Sequence, residues 1–158
     1  MIAVRSPGPD DRDRIAAFLE EHGMRHAARL GELHDPVADE AFLAEDGGDL
    51  VGVLTYRIDG RECEVSTLYA ATSLQGIGSA LIEAVVDAAR TAGSDRLWLV
   101  TTNDNVDAMR FYQRRGFRLV ELHAGAVDAS RATLKPSIPA IGEHGIPLHD
   151  ELVLERRL

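Results

Sequence analysis

From Gly76 to Ala92 the apolar positions recur at the helical period, with Ile77, Leu81, Ala84, Val85, Ala88 and Ala92 on one face and Gly93 just beyond. The same spacing carries Ile15, Phe18, Leu19 and His22 through a stretch that opens with acidic residues at Asp10 and stops at Gly23. Both stretches predict helices, and a second N-terminal helix is predicted from Met24 to Leu33, ending before Pro36. Between them the pattern shortens to strands at Ile2 to Arg5, Ala41 to Glu45, Leu50 to Ile58 and Glu62 to Tyr69. Gly47-Gly48 and Asp59-Gly60 separate the last three, and Asp59-Gly60 predicts an antiparallel hairpin. Arg96 to Thr101 reads as a buried strand, Asn105 to Arg115 as a helix stopped by Gly116, and Phe117 to Leu122 as a further strand. His123 to His149 is rich in Gly and Pro, with a helical turn or two at Val127 to Leu134, a loop from Lys135 to His149, and a closing strand at Glu151 to Arg156. Strands alternating with helices predict one mixed α/β (α+β) domain over residues 1–158, a twisted mixed sheet of about seven strands flanked by about four helices.

Composition narrows what such a domain can do. A chain of 158 residues, 45% hydrophobic, is long enough for one substantial core. The net charge of −9 repels a phosphate backbone, so no nucleic-acid partner is expected. The apolar run Ala80 to Ala89 is broken by Glu83 and Asp87, and no stretch approaches the roughly 20 apolar residues of a membrane span. Arg5, Pro7 and Pro9 interrupt any leader-like start, so the expected location is cytoplasmic, with no membrane partner. Cys63 is the single cysteine, which excludes an internal disulfide and a cysteine-rich zinc site. Of the six histidines, His22 and His26 are split by Gly23, and no His-Glu-x-x-His pattern supports the others, so no metal is expected.

The candidate chemistry begins where the strand Leu68-Tyr69-Ala70 gives way, through Thr72-Ser73-Leu74-Gln75, to the helix opened by Gly76-Ile77-Gly78-Ser79-Ala80. Glycines admit close backbone approach, and a helix N-terminus presents N–H groups at the positive end of its dipole, a combination suited to phosphates. The first carboxylate in this helix is Glu83, two turns in, so nothing negative in the first turn competes with an anion. Neither a P-loop nor a dinucleotide-binding glycine pattern is present. A second segment places Asn105, Ala108 and Tyr112 on one helical face, an amide, a small contact surface and a phenol, with Met109 and Phe111 assigned to the core.

Together these segments resemble the GNAT superfamily of N-acetyltransferases. The family's NxxAxxFYxxxGF pattern is matched by Asn105, Ala108, Phe111, Tyr112, Gly116 and Phe117; its [QR]xxGx[GA] turn corresponds to Ser73-Leu74-Gln75-Gly76-Ile77-Gly78, with Ser73 at the first position. The resemblance implies a GNAT-like fold, a coenzyme A-binding core over about 62–117 and acetyl-coenzyme A as co-substrate. It assigns Leu68, Tyr69 and Ala70 to pantetheine and Ser73, Leu74, Gln75, Gly76, Ile77, Gly78, Ser79 and Ala80 to the pyrophosphate turn, with Asn105, Ala108 and Phe111 completing the cofactor contacts. By the same resemblance, a backbone N–H near Tyr69 stabilises the oxyanion and Tyr112 protonates the departing thiolate. Glu64, then Glu62 or a water chain, deprotonates the amine. The expected acceptor is a small-molecule amine met by the loop of about 123–149, where His144 is a candidate lining residue; a homodimer is compatible with this reading. The rival readings are an acyl-coenzyme A-binding sensor without turnover and a protein lysine or N-terminal acetyltransferase.

Overall fold

The computed structural model describes residues 1–71 and 76–158. Among them nine strands and four α-helices form a mixed α/β fold. In chain order they are β1 (Ile2–Arg5), α1 (Asp11–Glu21), β2 (Ala27–Arg29), β3 (Glu32–His34), β4 (Glu40–Asp46), β5 (Asp49–Asp59) and β6 (Glu62–Ala70). There follow α2 (Ile77–Thr91), β7 (Arg96–Thr102), α3 (Val106–Gln113), β8 (Arg118–His123), α4 (Ala126–Thr133) and β9 (Glu151–Arg157). The chain divides into two compact units, one of Met1–Arg25, Asp35–Leu97 and Leu158, the other of His26–His34 and Trp98–Arg157.

In the first unit the strands run in the order β1-β4-β5-β6, each antiparallel to its neighbour. The predicted hairpin forms, with Asp59 opposite Glu62 across the turn. Helix α2 buries Ile77, Gly78, Leu81, Ile82, Val85, Val86 and Ala89. Its apolar stripe therefore runs through Ile82, Val86 and Ala89, whereas Ala84 and Ala88 are half-buried. Each large apolar side chain so buried contributes about 1.5–3 kcal/mol. The helix comes so close to the sheet because Gly52 on β5 has no side chain: a Cβ there would lie 2.7 Å from Ile77 Cγ2 and 3.1 Å from Leu81 Cδ1. Helix α1 covers the opposite register set, with Ile15 and Leu19 packed on Ala41, Leu43 and Val53.

The second unit orders its strands β7-β9-β8, with β8 antiparallel to β9. The predicted helix over Met24–Leu33 is replaced by the hairpin of β2 and β3, in which Ala27 faces His34 and Arg29 faces Glu32. Its turn puts both Leu30 (φ 47°) and Gly31 (φ 76°) in the left-handed region, which a helix cannot accommodate. The Leu30 amide donates to the Glu151 carboxylate at 3.0 Å, so a contact from the far end of the chain holds the turn against local helical propensity. Helix α3 is shorter than the predicted Asn105 to Arg115, and α4 supplies the two turns expected near Val127.

Candidate active site

Helix α2 opens at Gly76, whose φ of +86° places it in the left-handed region that glycine adopts without strain. The Ala80 amide bonds back to the Gly76 carbonyl at 3.0 Å. The first turn, Ile77-Gly78-Ser79-Ala80, carries no carboxylate, so the dipole's positive end is not neutralised from within. Ser73, Leu74 and Gln75, the other residues assigned to this turn, lie outside the described residues.

Strand β6 carries an irregularity the alternation alone does not announce. Thr55 pairs with Thr67 and Tyr56 with Val65, leaving Ser66 as the extra residue of a β-bulge. A bulge reverses which face the later residues occupy. Glu64 (opposite Arg57), Thr67 (opposite Thr55) and Tyr69 (opposite Val53) consequently share one face, the face covered by α1, while Leu68 and Ala70 turn to the other. Around the bulge, Ser66 Oγ donates to Asp39 Oδ2 at 2.5 Å and shares a 2.8 Å hydrogen bond with Thr55. The Arg57 guanidinium donates to Glu64 Oε1 at 2.8 Å and lies 3.8 Å from Asp39. Glu64 is 4% exposed. Glu62, the second candidate base, is instead half-exposed and pairs with Arg96 at 3.2 Å. Tyr69 stacks on His22 at 3.9 Å between ring centroids, with the Phe18 ring edge-on at 5.4 Å. The place of His22 on the helical stripe of Ile15, Phe18 and Leu19 points it toward the sheet, whereas Asp39, in a connecting segment, carries no signal in the sequence.

On α3, Asn105 is the N-cap: its Oδ1 accepts from the Ala108 amide at 3.3 Å and its Nδ2 donates to Thr101 Oγ1 at 3.1 Å. Tyr112 is buried between Phe111 and Phe117, whose rings meet it edge-on at 5.2 and 5.3 Å. Burial pushes its phenol well above the ordinary value of 10. Phe111 is half-buried beneath the Arg115 guanidinium, 3.7 Å from the ring centroid, and Met109 is half-buried as well, so neither belongs to the fully buried core.

The segment after α4 is tightly anchored. Arg131 donates to the carbonyl oxygens of Ile138, Pro139 and Leu148 at 3.0, 2.8 and 2.8 Å. Asn103 Oδ1 accepts from the His149 and Asp150 amides, and Asp104 Oδ2 accepts from the Glu143 amide. His144 is exposed and bound through Nε2 to Asp107 at 2.9 Å.

The model of the GNAT acetyltransferase family matches residues 10–117, which contain both chemistry-bearing segments. The chain belongs to the GNAT family of acetyltransferases. YdhI of Bacillus subtilis strain 168 is 40% identical over 111 residues, covering 70% of this chain and 69% of that protein. YxbD of the same organism is 34% identical over 149 residues, 93% of each. A GNAT acetyltransferase from Elizabethkingia anophelis, solved with acetyl-coenzyme A bound, superposes with a TM-score of 0.67 at 21% identity over 99% of this chain and 98% of that one, a likeness of fold. No helix among the described residues is long and apolar enough to cross a membrane.

Proposed function

We propose that this acetyltransferase, acting as one domain over 1–158, moves the acetyl group of acetyl-coenzyme A to a primary amine by direct attack in a ternary complex. The observation that carries the reading is the opening of α2: a left-handed Gly76, then a first turn without a carboxylate, directly downstream of β6. Backbone amides of this turn hold the pyrophosphate, and the end of β6 around Leu68, Tyr69 and Ala70 pairs with pantetheine. The amine lone pair attacks the thioester carbon, forming the C–N bond, while a backbone N–H near Tyr69 steadies the oxyanion. Collapse breaks the C–S bond. The amine's surplus proton passes to Glu64, directly or through water, with Arg57 fixing the carboxylate's position. Tyr112 hands its proton to the departing thiolate. Its raised pKa keeps the phenol protonated and so available as the acid. Asn105 supports the cofactor side by capping α3 and holding the backbone at Ala108 and Phe111 in place.

The deciding experiment measures thiol release from acetyl-coenzyme A across a panel of small amines. Acceptor-dependent release with a matching acetylated product supports the enzyme. Tight cofactor binding without such release would establish the sensor, and release only with peptides bearing a lysine or free N-terminus would assign a protein acceptor.

A further inference from the structure

Asp39, Arg57 and Glu64 stand in one row across three neighbouring strands of the first unit. Glu40 opens β4 opposite Tyr56, so Asp39, one residue earlier, comes level with Arg57, and Arg57 pairs with Glu64 on β6. The row reads carboxylate, guanidinium, carboxylate. Both acids are almost wholly buried, their side chains 3% and 5% exposed. Arg57 meets them through different nitrogens: Nη2 donates to Glu64 Oε1 at 2.8 Å, and Nε lies 3.8 Å from Asp39 Oδ1. A guanidinium is a rigid planar fork, so holding one edge fixes the direction of the other.

Asp39 also holds the bulge. Its Oδ2 accepts the Ser66 hydroxyl at 2.5 Å, and because that hydroxyl has one hydrogen, Thr55 is the donor in the 2.8 Å bond between Thr55 and Ser66. The extra residue of β6 is thereby clamped both to β5 and to Asp39. A bulge decides which face the residues beyond it occupy: with Ser66 inserted, Glu64 and Tyr69 look to one side, and without it they would lie on opposite sides. Asp39 itself is firmly presented. It ends the single 3₁₀ turn Pro36–Ala38, where Asp35 Oδ1 accepts from the Val37 amide at 3.1 Å and the Asp39 amide donates to the Pro36 carbonyl at 3.1 Å. An asparagine could accept the Ser66 hydroxyl as well; what it could not supply is the negative charge beside Arg57. We propose that Asp39 is a positioning residue for the proton acceptor: through Ser66 it keeps Glu64 on the face of Tyr69, and through Arg57 it aims the Glu64 carboxylate at the reacting amine. This rests on the acetyltransferase reading above, in which the ammonium N–H bond breaks, its electron pair stays on nitrogen for attack, and the proton passes to Glu64. Asp39 and Arg57 exchange no proton in this step.

The test measures acetylation of ethylamine and of trifluoroethylamine by the whole chain at neutral pH. Ethylamine, with a pKa of about 10, arrives as the ammonium and needs a base; the fluorines withdraw charge, so trifluoroethylamine arrives mostly as the free amine. A misplaced base therefore penalises the first and spares the second, whereas a damaged fold penalises both. Asp39→Asn keeps an acceptor for Ser66 and removes the charge beside Arg57, while Asp39→Ala removes both contacts. The kcat/KM for ethylamine should fall at least about fivefold in Asp39→Asn and further in Asp39→Ala, within the roughly 10²–10⁴-fold that a positioned base supplies. That for trifluoroethylamine should fall less than about threefold, with the coenzyme A Kd within about twofold of wild type. In a Glu64→Gln background, Asp39→Asn should bring no further loss with ethylamine, because the group it positions is gone. Equal losses for the two amines, full ethylamine activity in Asp39→Ala, or losses that simply add to those of Glu64→Gln each overturn the role of Asp39 and leave the acetyltransferase standing. A wild type that binds no coenzyme A, or binds it and acetylates neither amine, overturns the reading beneath it.

Discussion

The phenol of Tyr112 sets what a conservative substitution can report. Phe at this position keeps the ring that packs between Phe111 and Phe117 and deletes the proton source. Tyr112→Phe should fold, bind coenzyme A normally and lose at least about tenfold in kcat, within the roughly 10²–10⁴-fold that general acids supply. Because burial holds the phenol well above 10, it remains the acid form throughout the accessible range, so wild type and variant should share any basic limb seen below about pH 10. Full activity in the Phe variant would mean that water protonates the thiolate. Glu151 makes the opposite kind of statement, about stability. Burial raises its carboxyl above 4.5, so the native state holds this proton more tightly than the unfolded chain. Stability from this group is present at low pH and is lost as pH climbs from about 4.5 through the raised native value. Glu151→Gln does not titrate, so its Tm relative to wild type should improve between pH 4 and pH 7; a constant gap would contradict the shift.

The decisive element is α2. Its opening glycine serves conformation and charge together, and the two can be separated because Asn tolerates the left-handed region without a charge. Gly76→Asp should raise the coenzyme A Kd by at least about tenfold, while Gly76→Asn should raise it considerably less, since only the Asp brings a carboxylate to the helix start. Equal losses in both, measured on folded protein, would assign the effect to backbone strain. The period of α2, the Asp59-Gly60 turn and the stop at Gly116 were all legible in the sequence, because each is written in residues a few positions apart. The bulge at Ser66 was not. Alternation along β6 would put Glu64 and Leu68, four apart, on one face, and only pairing with β5 shows that the inserted residue sends Glu64 to the side of Tyr69, His22 and α1.

At the scale of the whole molecule, the segment from Lys135 to His149 reads as a loop in sequence yet is fastened like an element. The Arg131 guanidinium gathers three carbonyls from it, and hydrogen bonds to a charged group are worth about 1.5–3 kcal/mol. Arg131→Ala should cost at least about 2 kcal/mol in chemical denaturation and open the segment to proteolysis, with coenzyme A affinity unchanged. A segment as protease-resistant as in the wild type would show that the contacts from Asn103 and Asp104 suffice to hold it.

The sequence by itself determined the alternation of strands and helices, the hairpin joining β5 and β6, the glycine-opened start of α2 and the two segments that mark the family. These follow from periodicity, turn conformations and helix stops, forces that act within one or two turns of chain. Tertiary structure alone decided that residues 27–34 form a hairpin, that Glu151 is buried, and that Asp39 joins Ser66 and Thr55 at the bulge. The Leu30 amide and the Glu151 carboxylate are 121 residues apart, and Asp39 and Ser66 are 27 apart. Such pairings depend on which surfaces the packed elements bring together, and burial, charge and face are properties of that packing that no local window contains.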